Sequence, residues 1–596
     1  MPEKPIADPT LFRFRLPGHP ETLSWPDLIG SMLGSILDTV ELTDGGQRVK
    51  IDGFRLKHPA MGDIVYPVIY PEDQQLRIAS RFESETRPYQ PLQAVTAAEP
   101  RIALLGRMLG LLQSSTALFA DGVAVRPDGF APLLPETYMV PSAGDPAQIL
   151  SQLGRCCQSE CEFCYLKNNP ADLAVADGER FISDEELALY IEQFNPAGQV
   201  ELFHSDWSVR EILSDQRAIP AMRQIRGKTG SPFFLVTNGD HITPRSAREL
   251  AELSPVMMIV SVNVLDPLLR STHIKGRADI GEALRNLKEA HVPFAASITA
   301  WPGALMERLR ETLVETSRFD PLFIRVNLPG YTQFTAAPDW DTRSTWRQIV
   351  ALVRAARPES KAPIFSIPSM FEIESEWEDP LAPRILGVIP GSPGAQAGLR
   401  EGDLIAEVNG IEVRSRHQLI TLLNIISNQA TFKVIRDGIE TELPLIPADV
   451  SSMCGKYCFP HGLIIPWSLP ASWIDEIPEI GRLHRARRLL ILASPLLERS
   501  LNLMIKYSND PDRRRIQLCY PKAAYFGGNI AVNDMCVVSD FVAALQSENP
   551  QPDDLIIISN TGFNEWGRDL SGRHWEALER IFGVQTLLYN CVRCTF

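Results

Sequence analysis

A chain of 596 residues with 44% hydrophobic and 22% charged side chains is too long for one core, and its make-up is that of a folded soluble protein in roughly three or four domains. Its formal charge of -15 and pI near 5.3 repel polyphosphate over most of the surface, so general nucleic-acid binding is not expected. No stretch supplies the roughly 20 consecutive apolar residues of a membrane helix, and the start Met1-Pro2-Glu3-Lys4-Pro5 lacks a basic end followed by an apolar core, so a cytoplasmic location is expected.

Residues 1–145 mix short apolar runs with frequent Pro and Gly and carry no chemical motif; they form an N-terminal module of unassigned role. Over 146–356, strand-like runs alternate with helical periodicity: Ile149–Leu153, Val200–Phe203, Phe233–Thr237, Val256–Val262, Phe294–Thr299 and Phe323–Asn327. Ser183-Asp184-Glu185-Glu186 reads as an N-cap with an acidic first turn, and Thr243-Pro244 as a cap followed by proline where its missing N–H costs nothing. The fold class expected is α/β: a partial (β/α)6, TIM-like barrel with its chemistry at the C-terminal ends of the strands.

A Pro-, Glu- and Ser-rich stretch over 357–383 reads as a linker. Over 384–448, Ile385-Leu386-Gly387-Val388-Ile389-Pro390-Gly391-Ser392-Pro393-Gly394, then Gly402-Asp403-Leu404-Ile405 and Val408-Asn409-Gly410, resembles the PDZ domains of bacterial proteases. No Gly-Leu-Gly-Phe-like run stands clearly upstream of Ile385. Such a module adds a peptide as an extra strand, or acts as a spacer. Residues 449–596 read as a C-terminal α/β domain with two close cysteine pairs, Cys454 with Cys458 and Cys591 with Cys594. Arg513, Arg514 and Arg515, and Arg482, Arg485, Arg487 and Arg488, are the strongest basic runs, of the kind that usually marks a solvated helix face.

The run that carries chemistry is Cys157-Gln158-Ser159-Glu160-Cys161-Glu162-Phe163-Cys164. Thiolates bunched in a long chain with ten cysteines read as metal ligands rather than as a disulfide framework. Three at this spacing can each take one iron of a cubane and leave the fourth iron without a protein ligand. A structural zinc site is the plainer reading, with Cys156 as a fourth ligand, but adjacent cysteines do not easily face one ion.

This spacing, with an aromatic residue before the third cysteine, resembles the radical S-adenosylmethionine (SAM) superfamily. The resemblance implies a 4Fe-4S cluster on Cys157, Cys161 and Cys164, SAM chelating its open iron, and reductive cleavage of SAM to a 5'-deoxyadenosyl radical that abstracts hydrogen from a substrate. It also implies an external electron donor such as flavodoxin or ferredoxin. SAM contacts are expected at the strand ends, from Ser205 and Asp206 in place of the usual Gly-Gly-Glu-Pro run, and from Asn238 in a Thr237-Asn238-Gly239 run. Ser261, Asn263, Ser297 and Arg325 are the remaining candidates, with Thr299 and Asn327 completing a polar ring.

Leu253-Ser254-Pro255-Val256, Ser261-Val262-Asn263, Asp266-Pro267 and, further on, Tyr525-Phe526-Gly527-Gly528-Asn529 are similar to one uncharacterised branch of that superfamily, which carries a PDZ module and a C-terminal domain of unknown function. In that branch the PDZ module usually comes first, whereas here it follows the barrel. Cys454, Cys458, Cys591 and Cys594 could close a second 4Fe-4S cluster or a zinc site, or be ordinary thiols. The expected function is that of a radical SAM enzyme acting on a peptide or small molecule. The alternatives are a non-catalytic iron-sulfur scaffold or electron carrier, and an RNA-modifying enzyme.

Overall fold

The computed structural model describes residues 153–164, 210–230, 233–277, 279–335, 340–369, 382–425, 430–445, 460–466, 473–531, 533–559 and 577–589 with a few shorter pieces, and before residue 150 only strands. Those early strands make two antiparallel sheets, Phe12–Arg15 with Thr116–Phe119 and Ala124–Val125, and Thr43–Asp44 with Gln47–His58 and Gly62–Pro71. The strand expected at Val200–Phe203 and the cap at Ser183 lie outside the described residues.

The central element is a parallel sheet of five strands in chain order: β1 (Phe233–Thr237), β2 (Val256–Ser261), β3 (Phe294–Thr299), β4 (Ile324–Asn327) and β5 (Ile364–Ile367). The first four stand where the sequence places them. The fifth does not: it arises inside the stretch read as a linker, because four residues, Ile364-Phe365-Ser366-Ile367, are too short a run to show periodicity.

Ile149–Leu153 is not a strand among the described residues. Leu150 is helical, Leu153 N–H donates to the Leu150 carbonyl (3.1 Å), and both side chains are buried. A spacing of three puts the two leucines on one side of a turn, which is the alternative to a short buried strand for such a run. A two-residue strand follows at Arg155–Cys156, antiparallel to Arg210–Glu211. The cap at Thr243 forms as expected: α1 (Pro244–Ala251) starts with a reciprocal Thr243–Ser246 capping box and Pro at its first turn.

Strand alternation gives the sheet two unlike faces. Phe233, Leu235, Met258, Val260, Ala296, Ile298, Ile324 and Val326 point to the helices and form the main core. On the other face, Met257, Ile259, Ala295, Phe323 and Phe365 pack against Leu386, Ile389 and Ile464 of the next module. The apolar part of the inner face is thus covered by the module, whereas the strand ends carry Ser261, Ser297, Arg325 and Asn327.

That module is an antiparallel sheet of β7 (Leu404–Val408), β8 (Ile411–Glu412), β9 (Ala430–Arg436) and β10 (Ile439–Leu445), with a separate pair, β6 (Gly387–Val388) and β11 (Leu463–Ile464). The strand that pairs with β6 arrives from downstream within Gly462-Leu463-Ile464-Ile465, beyond the boundary expected at 448. Leu386 N–H donates to the Ile464 carbonyl and Ile389 N–H to the Gly462 carbonyl, both at 2.8 Å. Leu463 and Ile465 enter the module's core beside Leu419 and Leu423, while Ile464 faces the parallel sheet. The C-terminal domain has a four-stranded parallel sheet, β12 (Leu489–Leu492), β13 (Ile516–Cys519), β14 (Leu555–Ser559) and β15 (Thr586–Tyr589), in the order β13-β12-β14-β15.

Ile464 is 1% exposed and sits between module and barrel. Ile464→Ala should therefore cost about 2–5 kcal/mol of the stability of this junction, seen as a lower first transition in scanning calorimetry. An unchanged scan would contradict the packing described.

Candidate functional site

Cys157, Cys161 and Cys164 are thiols outside any disulfide, each half-buried, on one loop. The loop is pinned by its backbone. Glu160 N–H donates to the Ile274 carbonyl (2.9 Å), Glu162 N–H to the His273 carbonyl (3.1 Å), and Cys164 N–H to the Cys161 carbonyl (3.1 Å). Lys275–Glu160 and His273–Glu162 contacts, both 2.9 Å, flank it. These partners follow α2 (Pro267–His273), whose Asp266 caps two N–H groups, so the loop rides on the connection after β2. Phe163 is buried with Val264, Ile274, Trp301 and Leu305, and Cys161, Tyr331 and Trp340 pack against the same group.

Asn238, just beyond β1, joins this loop to the sheet. Its side-chain amide donates to Cys157 Sγ (3.5 Å) and Ser159 Oγ (3.3 Å), and its Oδ1 accepts from Asp240 N–H (2.9 Å). Its backbone N–H donates to Glu211 Oε2 (2.8 Å), and its carbonyl accepts from Arg270 Nη2 (3.2 Å). Asn238 therefore supports the cysteine loop with the same amide that sequence reading aims at a cofactor.

Two charged residues under the site carried no sequence signal. Glu211 is 3% exposed and accepts from Thr237 Oγ1 (2.7 Å) as well as from Asn238. Burial pushes its pKa above the usual carboxylate value, against the pull of the bonds from Asn238 and Thr237. Gly154, at φ +100°, permits the approach: a Cβ there would lie 2.5 Å from the Glu211 carbonyl oxygen. Arg270 is fully buried and donates to the carbonyls of Arg277 (2.6 Å), Val262 (2.7 Å) and Asn238. Burial lowers its pKa, opposed by Asp240, 4.0 Å away, and by Cys161.

The remaining candidates divide. Ser297, 7% exposed, accepts from Arg325 Nε (3.0 Å) and Asn327 Nδ2 (2.9 Å), so these three form one polar layer at the strand ends with Ser261 on the same face. Asn263 stands apart from Ser261, although the run Val256–Val262 would carry strand alternation almost to it. β2 ends at Ser261, Asn263 has φ +58°, and its buried Oδ1 caps the Thr299 N–H (2.9 Å). The extended backbone on which alternation depends stops two residues earlier. Ser205, Asp206, Cys454, Cys458, Cys591 and Cys594 lie outside the described residues. Four arginines of the basic runs are met by acids: Arg482 pairs with Asp510 and Asp512, Arg487 and Arg488 with Asp554, and Arg515 with Asp512.

Among the described residues no three His, Cys, Asp or Glu side chains gather around one metal ion. A cubane spreads its thiolates over separate irons, so three thiols of one loop, an amide donor on Cys157 and a buried cation near Cys161 suit an anionic, sulfur-rich group.

The comparisons agree with the motif. The radical SAM superfamily profile matches residues 151–315 and a PDZ domain profile matches 384–434, so the chain carries both domains. Among solved structures, Streptococcus suis SuiB bound to S-adenosylmethionine is 12% identical with a TM-score of 0.27, covering 36% of this chain and 48% of that one. SuiB bound to its precursor peptide SuiA is 14% identical with a TM-score of 0.27, covering 36% and 47%. The chain spans about half the length of these structures. No helix among the described residues is long and apolar enough to cross a membrane.

Because the folded chain holds the Glu211 proton more tightly than the unfolded one, this residue's contribution to stability falls as pH rises from 4.5 through its raised folded value. Glu211→Gln cannot titrate. Its stability relative to the native chain should improve across that window and then level off in denaturant unfolding at successive pH values; a difference independent of pH would contradict this.

Proposed function

Taking a chain that carries a radical SAM domain and a PDZ domain as the premise, we propose that it is a radical SAM enzyme which binds a 4Fe-4S cluster through Cys157, Cys161 and Cys164 and cleaves SAM reductively. The observation that carries this reading is the set of three thiols on a loop tied to the end of β1 by Asn238. A cluster bound there would supply the electron that breaks a sulfonium bond of SAM and yields a 5'-deoxyadenosyl radical. Everything else is the work of the chain's own residues.

The three cysteines hold the group, and Asn238 orients Cys157 and Ser159. Arg270 places a buried positive charge beneath the loop, offsetting the sulfurs' negative charge. Ser261, Ser297, Arg325 and Asn327 offer hydroxyl, guanidinium and amide groups to the polar parts of SAM or substrate. Phe163 and Trp301 wall one side and exclude water, which strengthens those contacts and protects a reactive radical from side reactions. Ser205 and Asp206 are proposed to bind the SAM amino group, and the two C-terminal cysteine pairs a second cluster or zinc ion.

The substrate is a peptide or small molecule, with hydrogen abstraction as the reaction class and a flavodoxin- or ferredoxin-like protein as electron donor. A peptide is favoured by the module at 384–466. Modules of this kind take a peptide as an added strand; here the chain's own β11 pairs with β6 beside the helix Arg416–Ile425, its Leu463 packed with Leu419 and Leu423.

Anaerobic reconstitution with iron and sulfide, followed by dithionite and SAM, should yield 5'-deoxyadenosine. Cys157→Ala should lose both the visible cluster absorbance and this product. Product formation without iron, or undiminished in Cys157→Ala, would overturn the proposal.

A further inference from the structure

The Phe526-Gly527-Gly528-Asn529 run of the C-terminal domain is absorbed by none of the chemistry above, yet it grips the barrel at one place. Residues 329–335, which leave the C-terminal end of β4, meet it edge to edge. Gln333 N–H donates to the Phe526 carbonyl (2.8 Å) and Asn529 N–H to the Tyr331 carbonyl (3.1 Å). The Asn529 side chain completes the joint, its Oδ1 accepting from Tyr331 N–H (2.8 Å) and its Nδ2 donating to the Pro329 carbonyl (2.9 Å). Gly528 has φ +66°, and a Cβ there would lie 1.9 Å from the Tyr331 carbonyl oxygen, so only glycine allows the approach.

Tyr331, held from both sides, leads back to the cysteines. Its ring lies edge-on to Trp340 (5.1 Å between centroids), Trp340 edge-on to Trp301 (6.0 Å), and Trp301 tilted against Phe163 (6.1 Å), the residue between Cys161 and Cys164. All four rings and Cys161 share one apolar cluster. Packed side chains of this kind have few alternative arrangements, so a shift at Tyr331 must be taken up at Phe163.

We infer that the C-terminal domain forms the outer wall of the reaction chamber, and that Asn529 is a positioning residue which, through Tyr331, Trp340 and Trp301, holds the cysteine loop closed around its cofactor. The role as a wall of a reaction chamber rests on the radical SAM reading; the mechanical link from Asn529 to the loop does not. The wall explains why a domain separated from the cysteines by the whole PDZ module in sequence makes its close contact at the loop after β4.

The test is amide hydrogen exchange on the metal-free full-length chain, comparing the native protein with Asn529→Ala. Removing the three side-chain bonds, to Tyr331 N–H, the Pro329 carbonyl and Thr342 Oγ1, should speed exchange at Tyr331 and Gln333 by about tenfold, and, if the wall transmits, also at Glu160 and Glu162 in the cysteine loop. Asn529→Asp keeps the acceptor for Tyr331 N–H but sets a carboxylate oxygen against the Pro329 carbonyl, so it too should exchange faster than the native protein at Tyr331 and Gln333. In the reconstituted protein, iron loss to a chelator should be faster from both variants than from the native chain. Faster exchange at 331 and 333 with none at Glu160 and Glu162 would reduce the contact to a plain domain joint and overturn the inference. Absence of iron from the native protein would instead count against the cluster.

Discussion

The cysteine loop is tied to the parallel sheet by Asn238, fixed at the end of β1. Its side chain reaches the cysteine loop, its N–H is bound by Glu211, and its carbonyl is bound by Arg270. Loss of any one partner leaves a buried polar or charged group without its bond, a cost of about 1–3 kcal/mol and more where the group is charged. One residue thus couples the position of a sulfur to a buried acid and a buried base, and its backbone is set in turn by the pairing of β1 with β2.

The sheet itself divides the labour along its strands. Toward the N-terminal ends the inner face is apolar and covered by Leu386, Ile389 and Ile464, so no water-filled base is left there. Toward the C-terminal ends the same face turns polar at Ser261, Ser297 and Arg325; beyond them lie His273 and Ile274, which hold the cysteine loop, and the aromatic residues Trp301 and Tyr331. Covering one half by a neighbouring module leaves the strand ends as the place where ligands can bind, in keeping with the general habit of parallel β/α folds.

Local chemistry was legible in the sequence and long-range pairing was not. The cysteine spacing, the Thr243-Pro244 cap and four strands with their inward hydroxyls follow from patterns within a few residues. Glu211 and Arg270 were silent, because a lone charged residue looks the same on a surface as under a site; only burial distinguishes them. The strand at Leu463–Ile464 was missed because it crosses from what reads as another domain to complete the module. Ile149–Leu153 misled because three apolar residues in a five-residue stretch fit a turn and a strand equally well.

The central claim, that three thiols of one loop hold a cubane with one iron left for SAM, is met most directly by electron paramagnetic resonance of the reconstituted, reduced protein with and without SAM. The account predicts a 4Fe-4S signal whose shape changes when SAM is added. A signal indifferent to SAM, or no cluster signal from a fully reconstituted sample, would contradict it.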